Sequence, residues 1–368
     1  MTADRPTAID LFCGAGGASL GVEAAEYDLV AALDHNEAAL QTHVENLGDG
    51  IIKHDLADVD PSVLPTDSPD YVHGSPPCQG FSTANDDRQA DDPRNSLVFD
   101  FVDWIGALEP AVVTMENVTG MTNITDHFMD KVEAAYREAG YAVKWRTLNA
   151  ADYGVPQTRR RVYTVGVRED IDAPSRWFPK PTHAETPTTT LNGRELDEWV
   201  SVQEAIGDLV ETVGEHRPQG ENDGTTGAVW RPSDDPAHTL KGQGSHTTRP
   251  DGGTAVAPNH TDPQLVNFRA RRPNFDMAET SVKPTQPAHT VSGQMPNQPW
   301  HYNHEPDDAA DSTDQRRLTV RECARLQSFP DWFVFVGSAT AQYQQVGNAV
   351  PPLLQYRIAD HLRDEVIA

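Results

Sequence analysis

From residue 7 to about residue 168, short apolar runs alternate with amphipathic stretches, and this alternation constrains the chain more than any other feature. The strand candidates are Ala8 to Phe12, Leu29 to Leu33, Tyr71 to His73, Val112 to Met115, Ala142 to Trp145 and Val162 to Val167. Helical patterns fall between several of them, over Ala18 to Ala25, Glu37 to Asn46, Leu97 to Leu108 and Asp126 to Ala139. Such an order builds an open, mostly parallel sheet with helices on both faces, and these sheets bind ligands at the carboxyl ends of their strands. The full 368 residues leave room for a second domain with its own core.

That second region announces itself by texture. From about Ala173 to Asp314 the chain is rich in Pro, Gly, Thr, Asn and His and reads as loops and short strands. A near-repeat lies within it, "PAHTLKGQG" (Pro236 to Gly244) against "PAHTVSGQM" (Pro287 to Met295), which reads as two similar strand-turn elements and not as a solenoid. Order returns at "RRLTVRECARLQSFPDWF", where Thr319 and Glu322 have the spacing of a capping box. The chain ends in "QVGNAVPP" and an amphipathic helix whose apolar face needs a partner, for which the first domain is the natural candidate.

Charge is the unusual bulk quantity. Asp and Glu number 56 against 29 Lys and Arg, a formal net of −27, and only six of the basic residues are lysine. Taken alone, that balance argues against a nucleic-acid partner, which normally leaves a basic footprint. An acid-rich, lysine-poor surface also fits a protein from a high-salt cytoplasm, where the screening length falls to about 3 Å at 1 M salt and local arginines still reach a phosphate. The three cysteines, Cys13, Cys78 and Cys323, are far apart and lack metal-ligand spacing, which reads as a reducing compartment with neither a disulfide framework nor a metal site. No apolar run approaches the roughly 20 residues of a membrane span, and the N-terminus reads as unprocessed, so the expectation is a soluble cytoplasmic protein.

"IDLFCGAGGASLG" sets glycines between a strand and a helix, where backbone approaches a ligand and the helix offers free N–H groups. A plain tight turn would look similar. Asp34 strengthens the ligand reading, because it ends the second strand candidate 20 residues after Gly14, in the place of a ribose acceptor. The dinucleotide fingerprint fails, since its third glycine falls on Ser19. S-adenosylmethionine, with a ribose and no pyrophosphate, fits better.

In "GSPPCQGFS", Pro76 and Pro77 stiffen the backbone ahead of Cys78 at a strand's carboxyl end, where a nucleophile would be presented; a small packing residue is the alternative. The polar stretch "STANDDRQADDPRNS" that follows reads as a flap. Glu116 and Asn117 in "VVTMENV" stand at the next strand end, as a proton donor to a ring nitrogen or as a solvated pair. In "QTRRRVY", alternation puts Arg159 and Arg161 on one face of an extended segment, for a base carbonyl and phosphates or for a salt-bridge ladder. Cys13 and Cys323 read as packing residues.

Taken in order, "DLFCGAGGASLG", Asp34, "HDL", "GSPPCQGFS", "MENV", "QTRRRVY", "RLTVRECARLQSFP" and "QVGNAVPP" resemble the DNA (cytosine-5)-methyltransferase family, with a gap at roughly 170 to 315 where that family carries its variable recognition region. The resemblance implies an α/β chain: a Rossmann-like S-adenosylmethionine-dependent methyltransferase domain with a mostly parallel doubly wound sheet, and a smaller, irregular, β-rich target-recognition domain. The implied divisions are 1–170 for catalysis and cofactor, 171–334 for target recognition, and 335–368 returning to the catalytic domain.

It further implies that Cys78 adds to C6 of cytosine, that Glu116 engages N3 and the exocyclic amine with Asn117 beside it, and that Arg161, supported by Arg159 and Gln157, binds the O2 side. Phe12, Gly14, Ala15 and Gly16 would line the methionine end of the cofactor, Asp34 and His35 the ribose, and Asp55 and Leu56 the adenine. Pro77, Leu97, Asn348 and Val350 would complete the pocket. Gln79, Ser82, Arg161, Thr290 and Gln294 would contact DNA, with Arg269, Arg271 and Arg272 as weaker candidates. The implied partner is double-stranded DNA, bound by a monomer with its target base flipped into the cleft between the domains, and paired in function with a restriction endonuclease. A tRNA cytosine methyltransferase of the same fold and an inactive DNA-binding homologue are the rival readings.

Overall fold

The computed structural model describes residues 5–48, 50–66, 68–77, 97–123, 127–189, 193, 195–215, 229–230, 255–256, 281–282, 287–291, 301–302 and 318–367. They fall into two compact units, one of Met1–Tyr153, Arg160–Thr182 and Val350–Ala368, the other of Gly154–Arg159 and His183–Ala349.

The first unit follows the β-α alternation. Its strands are β1 (Thr7–Leu11), β2 (Asp28–Asp34), β3 (Ile51–Lys53), β4 (Tyr71–Gly74), β5 (Val112–Val118), β6 (Tyr141–Asn149) and β8 (Arg160–Arg168), in the sheet order β3-β2-β1-β4-β5-β8-β6. All neighbours pair in parallel except β8, which runs antiparallel to both β5 and β6. Its helices are α1 (Gly17–Ala24), α2 (Glu37–Leu47), α3 (Leu97–Leu108), α4 (Phe128–Glu138) and, at the other end of the chain, α8 (Pro352–Leu362).

Because side chains alternate along a strand, the two faces of the sheet have separate compositions. On one face Ile9, Leu11, Val72, Val113 and Met115 form a continuous apolar cluster with Val98, Phe101, Ile105 and Leu108 of α3 and with Phe128, Val132 and Tyr136 of α4. The packing is tight enough that a Cβ on Gly74 would stand 2.3 Å from the Phe101 ring. The opposite face carries Asp10, Tyr71, His73 and Thr114, all fully buried. Helix α8 lies close against α1, where a Cβ on Gly21 would stand 2.5 Å from the Pro352 carbonyl and 2.7 Å from Gln355 Cβ. Tyr27 Oη donates to the Ala359 carbonyl, and Gln355 Nε2 donates to Tyr71 Oη.

Two features depart from the sequence expectation. Strand β5 continues to Val118 because the antiparallel ladder with β8 extends to the Val118–Arg161 pair, so Glu116 and Asn117 lie within the strand, not after it. The arginines read as one face of a single strand are divided. Gln157–Thr158 (β7) pairs in parallel with the strand Ala288–His289, whereas the ladder of the large sheet begins at Arg160, so Arg159 and Arg161 belong to different units.

In the second unit, α5 (Val202–Glu215), α6 (Val320–Leu326) and α7 (Ala339–Asn348) accompany several two-residue strands. The capping box at Thr319 and Glu322 is formed, with both partners buried. Phe329, Phe333 and Phe335 form an aromatic cluster, and the buried Arg321 donates to the Pro330 and Phe333 carbonyls at 3.1 and 2.7 Å. Of the two near-repeats, the second contains the strand Ala288–His289, and the first lies outside the described residues. Among the described residues no helix is long and apolar enough to cross a membrane.

Candidate active site at the strand ends

The glycine loop leaves β1 through left-handed backbone at Phe12 (φ 61°), Gly14 (φ 53°) and Gly16 (φ 95°). Gly16 is required twice over, because a side chain there would strain the backbone and its Cβ would stand 2.9 Å from both His43 and Leu47. A Cβ on Gly14 would meet nothing within 4 Å, so the loop is open on that side. Gly16 caps α1 without a side-chain bond, and Ser19 in the first turn is engaged by the buried Asp10 carboxyl, its Oγ donating to Oδ2 at 2.6 Å.

Asp34 ties this loop to the end of β2. Its Oδ2 accepts from Gly14 N at 2.9 Å and its Oδ1 from Asn36 N at 2.7 Å. Each carboxylate oxygen has a second lone pair, so acceptor capacity remains toward a ligand. His35 is exposed, with Nδ1 3.9 Å from Asp34 Oδ1. Asp55 is exposed and its Oδ1 accepts from Ala57 N, while Leu56 is buried in the apolar cluster. Phe12 and Ala15 are buried, Leu97 opens α3 half-buried against the same cluster, and Val350 is buried. Cys13 is buried too, and burial pushes its thiol well above the ordinary range, so it is a packing group and not a thiolate.

The segment leading to Cys78 is held from two sides. Ser75 N donates to the Leu11 carbonyl at 3.2 Å, and Ser75 Oγ donates to the Phe12 carbonyl at 3.1 Å, binding it to the glycine loop. From β5, Asn117 Nδ2 donates to the Pro76 carbonyl at 3.2 Å, while Asn117 Oδ1 accepts from Val118 N. Cys78, Gln79 and Ser82 lie outside the described residues, directly after Pro77. Beside this segment on β5, Glu116 forms an ion pair with Arg161 of β8, Nε to Oε1 3.1 Å, without the geometry of a hydrogen bond. Both side chains are nearly buried, and Arg161 Nη1 donates to the Arg160 carbonyl. Three strand ends of one sheet therefore bring a glycine loop, the approach to Cys78 and a carboxylate–guanidinium pair together.

Gln157 and Arg159 are engaged within the second unit. Gln157 Nε2 donates to the Leu326 carbonyl at 3.1 Å and to Gln327 Oε1, and its Oε1 accepts from Val291 N at 2.9 Å. Arg159 Nη1 donates to the carbonyls of Val291 and Gly347, each at 3.0 Å. Both therefore brace Val291, next to Thr290, whose Oγ1 donates to the Thr158 carbonyl. Asn348, the last residue of α7, is exposed. Gln294, Arg269, Arg271 and Arg272 lie outside the described residues. Sequence reasoning passed over Ser75, although it stands inside the "GSPPCQGFS" segment; its position between glycine and proline at a strand end was the available signal.

The chain has well-defined relatives. A family model described as C-5 cytosine-specific DNA methylase matches residues 7–364. Among curated proteins, the Type II methyltransferase M.DdeI of Desulfomicrobium norvegicum is 33% identical, with 96% of this chain and 88% of the relative covered. The Type II methyltransferase M.MthTI of Methanothermobacter thermautotrophicus is 31% identical over 96% of each chain. Among solved structures, a protein encoded within an E. coli prophage matches with a TM-score of 0.63 at 23% identity, covering 98% of this chain and 99% of the other. The Entamoeba histolytica methyltransferase EhMeth matches with a TM-score of 0.62 at 15% identity, covering 98% of each. At these identities the two structures bear on the fold, which is the Rossmann-like α/β architecture.

Proposed function

Because the chain belongs to the C-5 cytosine-specific DNA methylase family, and so is a DNA cytosine-5 methyltransferase, we propose that it methylates a flipped cytosine of duplex DNA through a covalent bond from Cys78 to C6. The observation that carries this reading is the double tether of the segment before Cys78, by Ser75 to the glycine loop and by Asn117 to the strand that bears Glu116. A nucleophile needs rigid presentation, and these bonds hold the segment that leads to it.

Methyl transfer needs an electrophilic methyl group, and S-adenosylmethionine supplies one when bound. The residues fit it: an open glycine loop leading into the N-terminus of α1, and Asp34 with lone pairs left for ribose hydroxyls. Phe12, Ala15 and Gly16 would line its methionine end, His35, Asp55 and Leu56 its nucleoside, and Pro77, Leu97, Asn348 and Val350 the rest of the pocket.

The Cys78 thiolate adds to C6 as the C5–C6 double bond opens toward C5. Glu116 engages N3 and the exocyclic amine and stabilises the adduct. Arg161 holds the O2 side and orients Glu116 through their ion pair. Once C5 carries the methyl group, a water base takes the C5 proton, the C5–C6 double bond re-forms and the Cys78 sulfur leaves as thiolate.

Residues 171–334 form the target-recognition domain in this reading, residues 1–170 the catalytic domain and 335–368 its C-terminal segment. Thr290, braced next to Val291, contacts DNA together with Gln79, Ser82, Arg161 and Gln294. In this reading the enzyme acts as a cytoplasmic monomer, paired in function with a restriction endonuclease.

The test is base-resolution mapping of duplex DNA treated with the purified protein and S-adenosylmethionine. Methylcytosine at one repeated sequence is expected with the wild type and none with Cys78→Ser. Methylation confined to tRNA, or activity retained in the variant, would refute the reading.

A further inference from the structure

The polar face of the sheet holds a row of groups that the proposed chemistry does not use. Asp10, His73 and Thr114 are register partners across β1, β4 and β5, so their side chains share one face. One step earlier on β4 stands Tyr71, on the same face. All four are fully buried. Gln355 Nε2 of α8 donates to Tyr71 Oη at 2.8 Å, Tyr71 Oη lies 2.5 Å from Thr114 Oγ1, and Thr114 Oγ1 lies 2.9 Å from His73 Nδ1. A hydrogen-bonded chain therefore runs from the C-terminal helix into the middle of the sheet.

Its protons have a direction. Gln355 donates an amide hydrogen to Tyr71, so the single hydroxyl hydrogen of Tyr71 is left for Thr114. Thr114 Oγ1, having accepted, sends its own hydrogen on to His73 Nδ1; the reverse arrangement would leave the Thr114 hydrogen without an acceptor in the chain. A neutral imidazole carries one hydrogen, which then sits on Nε2. Burial keeps the ring neutral by pushing its pKa down to about 3. Nε2 is buried without a partner, and the neighbouring acceptor in the same row, Asp10 Oδ1, is likewise buried and unpartnered, its Oδ2 accepting from Ser19 Oγ at 2.6 Å.

We propose that His73 is a positioning residue, fixed as its Nε2–H tautomer by the Gln355–Tyr71–Thr114 chain, and that this chain sets the spacing of β4 and β5 for methyl transfer. The consequence follows from what lies just beyond. Strand β4 ends one residue after His73 and leads through Ser75 to Pro77 to Cys78, while Glu116 lies two residues after Thr114 on the same face. Loss of the chain shifts nucleophile and carboxylate relative to each other and leaves the contacts of Gly14 and Asp34 untouched. This inference rests on the assignment of Cys78 and Glu116 to catalysis, but the tautomer does not.

The experiment compares Thr114→Val, which keeps the shape and removes both bonds, with Thr114→Ser, which keeps the hydroxyl, and with Tyr71→Phe. Thr114→Val and Tyr71→Phe are expected to lower kcat by about tenfold or more, since small misplacements of reacting groups are costly. KM for S-adenosylmethionine and for duplex DNA should stay within about twofold of wild type, the signature of an effect confined to the chemical step. Thr114→Ser should restore kcat. In ¹⁵N-histidine spectra of the wild-type protein, the His73 resonances, assigned by their loss in His73→Gln, should show an unprotonated Nδ1 and a protonated Nε2. Unchanged kcat in folded Thr114→Val, an effect on KM alone, or an Nδ1–H tautomer would each overturn the proposal. A wild type that methylates no DNA would instead defeat the functional reading, and the tautomer measurement would still decide this one.

Discussion

The two faces of the large sheet are built from the same strands and serve opposite ends. Toward α3 and α4 the central strands present Ile9, Leu11, Val72, Val113 and Met115, and Phe101 packs so closely that only glycine fits at position 74. Toward α1, α2 and α8 the sheet carries Asp10, Tyr71, His73 and Thr114, with Ser19 and His43 buried among them. An apolar face needs no partners and gains stability from area alone. A buried polar face must satisfy each group or lose stability, and in return it fixes geometry. The difference teaches that in this unit stability and alignment are separable, although β1, β4 and β5 contribute to both.

The largest expected effect breaks the apolar face. Phe101→Ala should cost about 3–5 kcal/mol in urea unfolding, the usual range for a buried aromatic. Cofactor affinity per folded molecule should change little; a stability loss below about 1 kcal/mol would contradict the packing described. Next, Gly21→Val forces α8 away from α1 and should cost about 1–3 kcal/mol by overpacking. Here activity should fall further than stability alone explains, because α8 supplies Gln355.

Asp34→Ala should leave the core intact and weaken S-adenosylmethionine binding by about tenfold, worth about 1.4 kcal/mol. Calorimetry checks this, and unchanged affinity would remove Asp34 from the cofactor site.

The faces also differ in their response to pH. Burial pushes His43 down to about 4 and His73 to about 3, from 6.5. Their contribution is present above pH 6.5 and is lost as pH falls through those values. Burial raises Asp10 from 3.8 to about 7, opposed by the Ser19 hydroxyl and reinforced by the Asp34 carboxylate. Its contribution is full below pH 3.8 and is lost as pH rises through about 7. Stability should therefore rise from pH 4 to 6.5, where two histidines outweigh one aspartate, and fall between 6.5 and 7. Asp10→Asn should abolish the fall in urea midpoints, and a fall that persisted would assign it to another group. The smallest change is expected on the acidic exterior: raising KCl toward molar levels should leave methyl transfer nearly unaltered, where ordinary counterion release would cost orders of magnitude in DNA affinity.

Much of the fold was legible because the apolar face speaks in period-two runs. "ALEPAVVTMENV" reads as a helix end, a turn and a strand without further context. Strand β3, only Ile51–Lys53, was too short to register, and the extension of β5 through Glu116 depends on an antiparallel partner more than 40 residues away. The division at Arg159 was illegible for a similar reason, since alternation along one segment says nothing of which sheet each half joins. The glycine loop, Asp34 and the Pro-Pro-Cys segment were visible as local chemistry. Ser75, His73 and Thr114 were not, because a buried hydrogen bond between strands leaves no mark in either strand by itself.

The central claim is that the strand ends present Cys78 to C6 of a cytosine, and duplex DNA with 5-fluorocytosine at the mapped target tests it most directly. Fluorine cannot leave C5 as the proton does, so the adduct should accumulate. Incubation with S-adenosylmethionine and mass spectrometry of the digested complex should find the methylated base attached to the peptide containing Cys78. No covalent complex, or attachment through Cys13 or Cys323, would contradict the account.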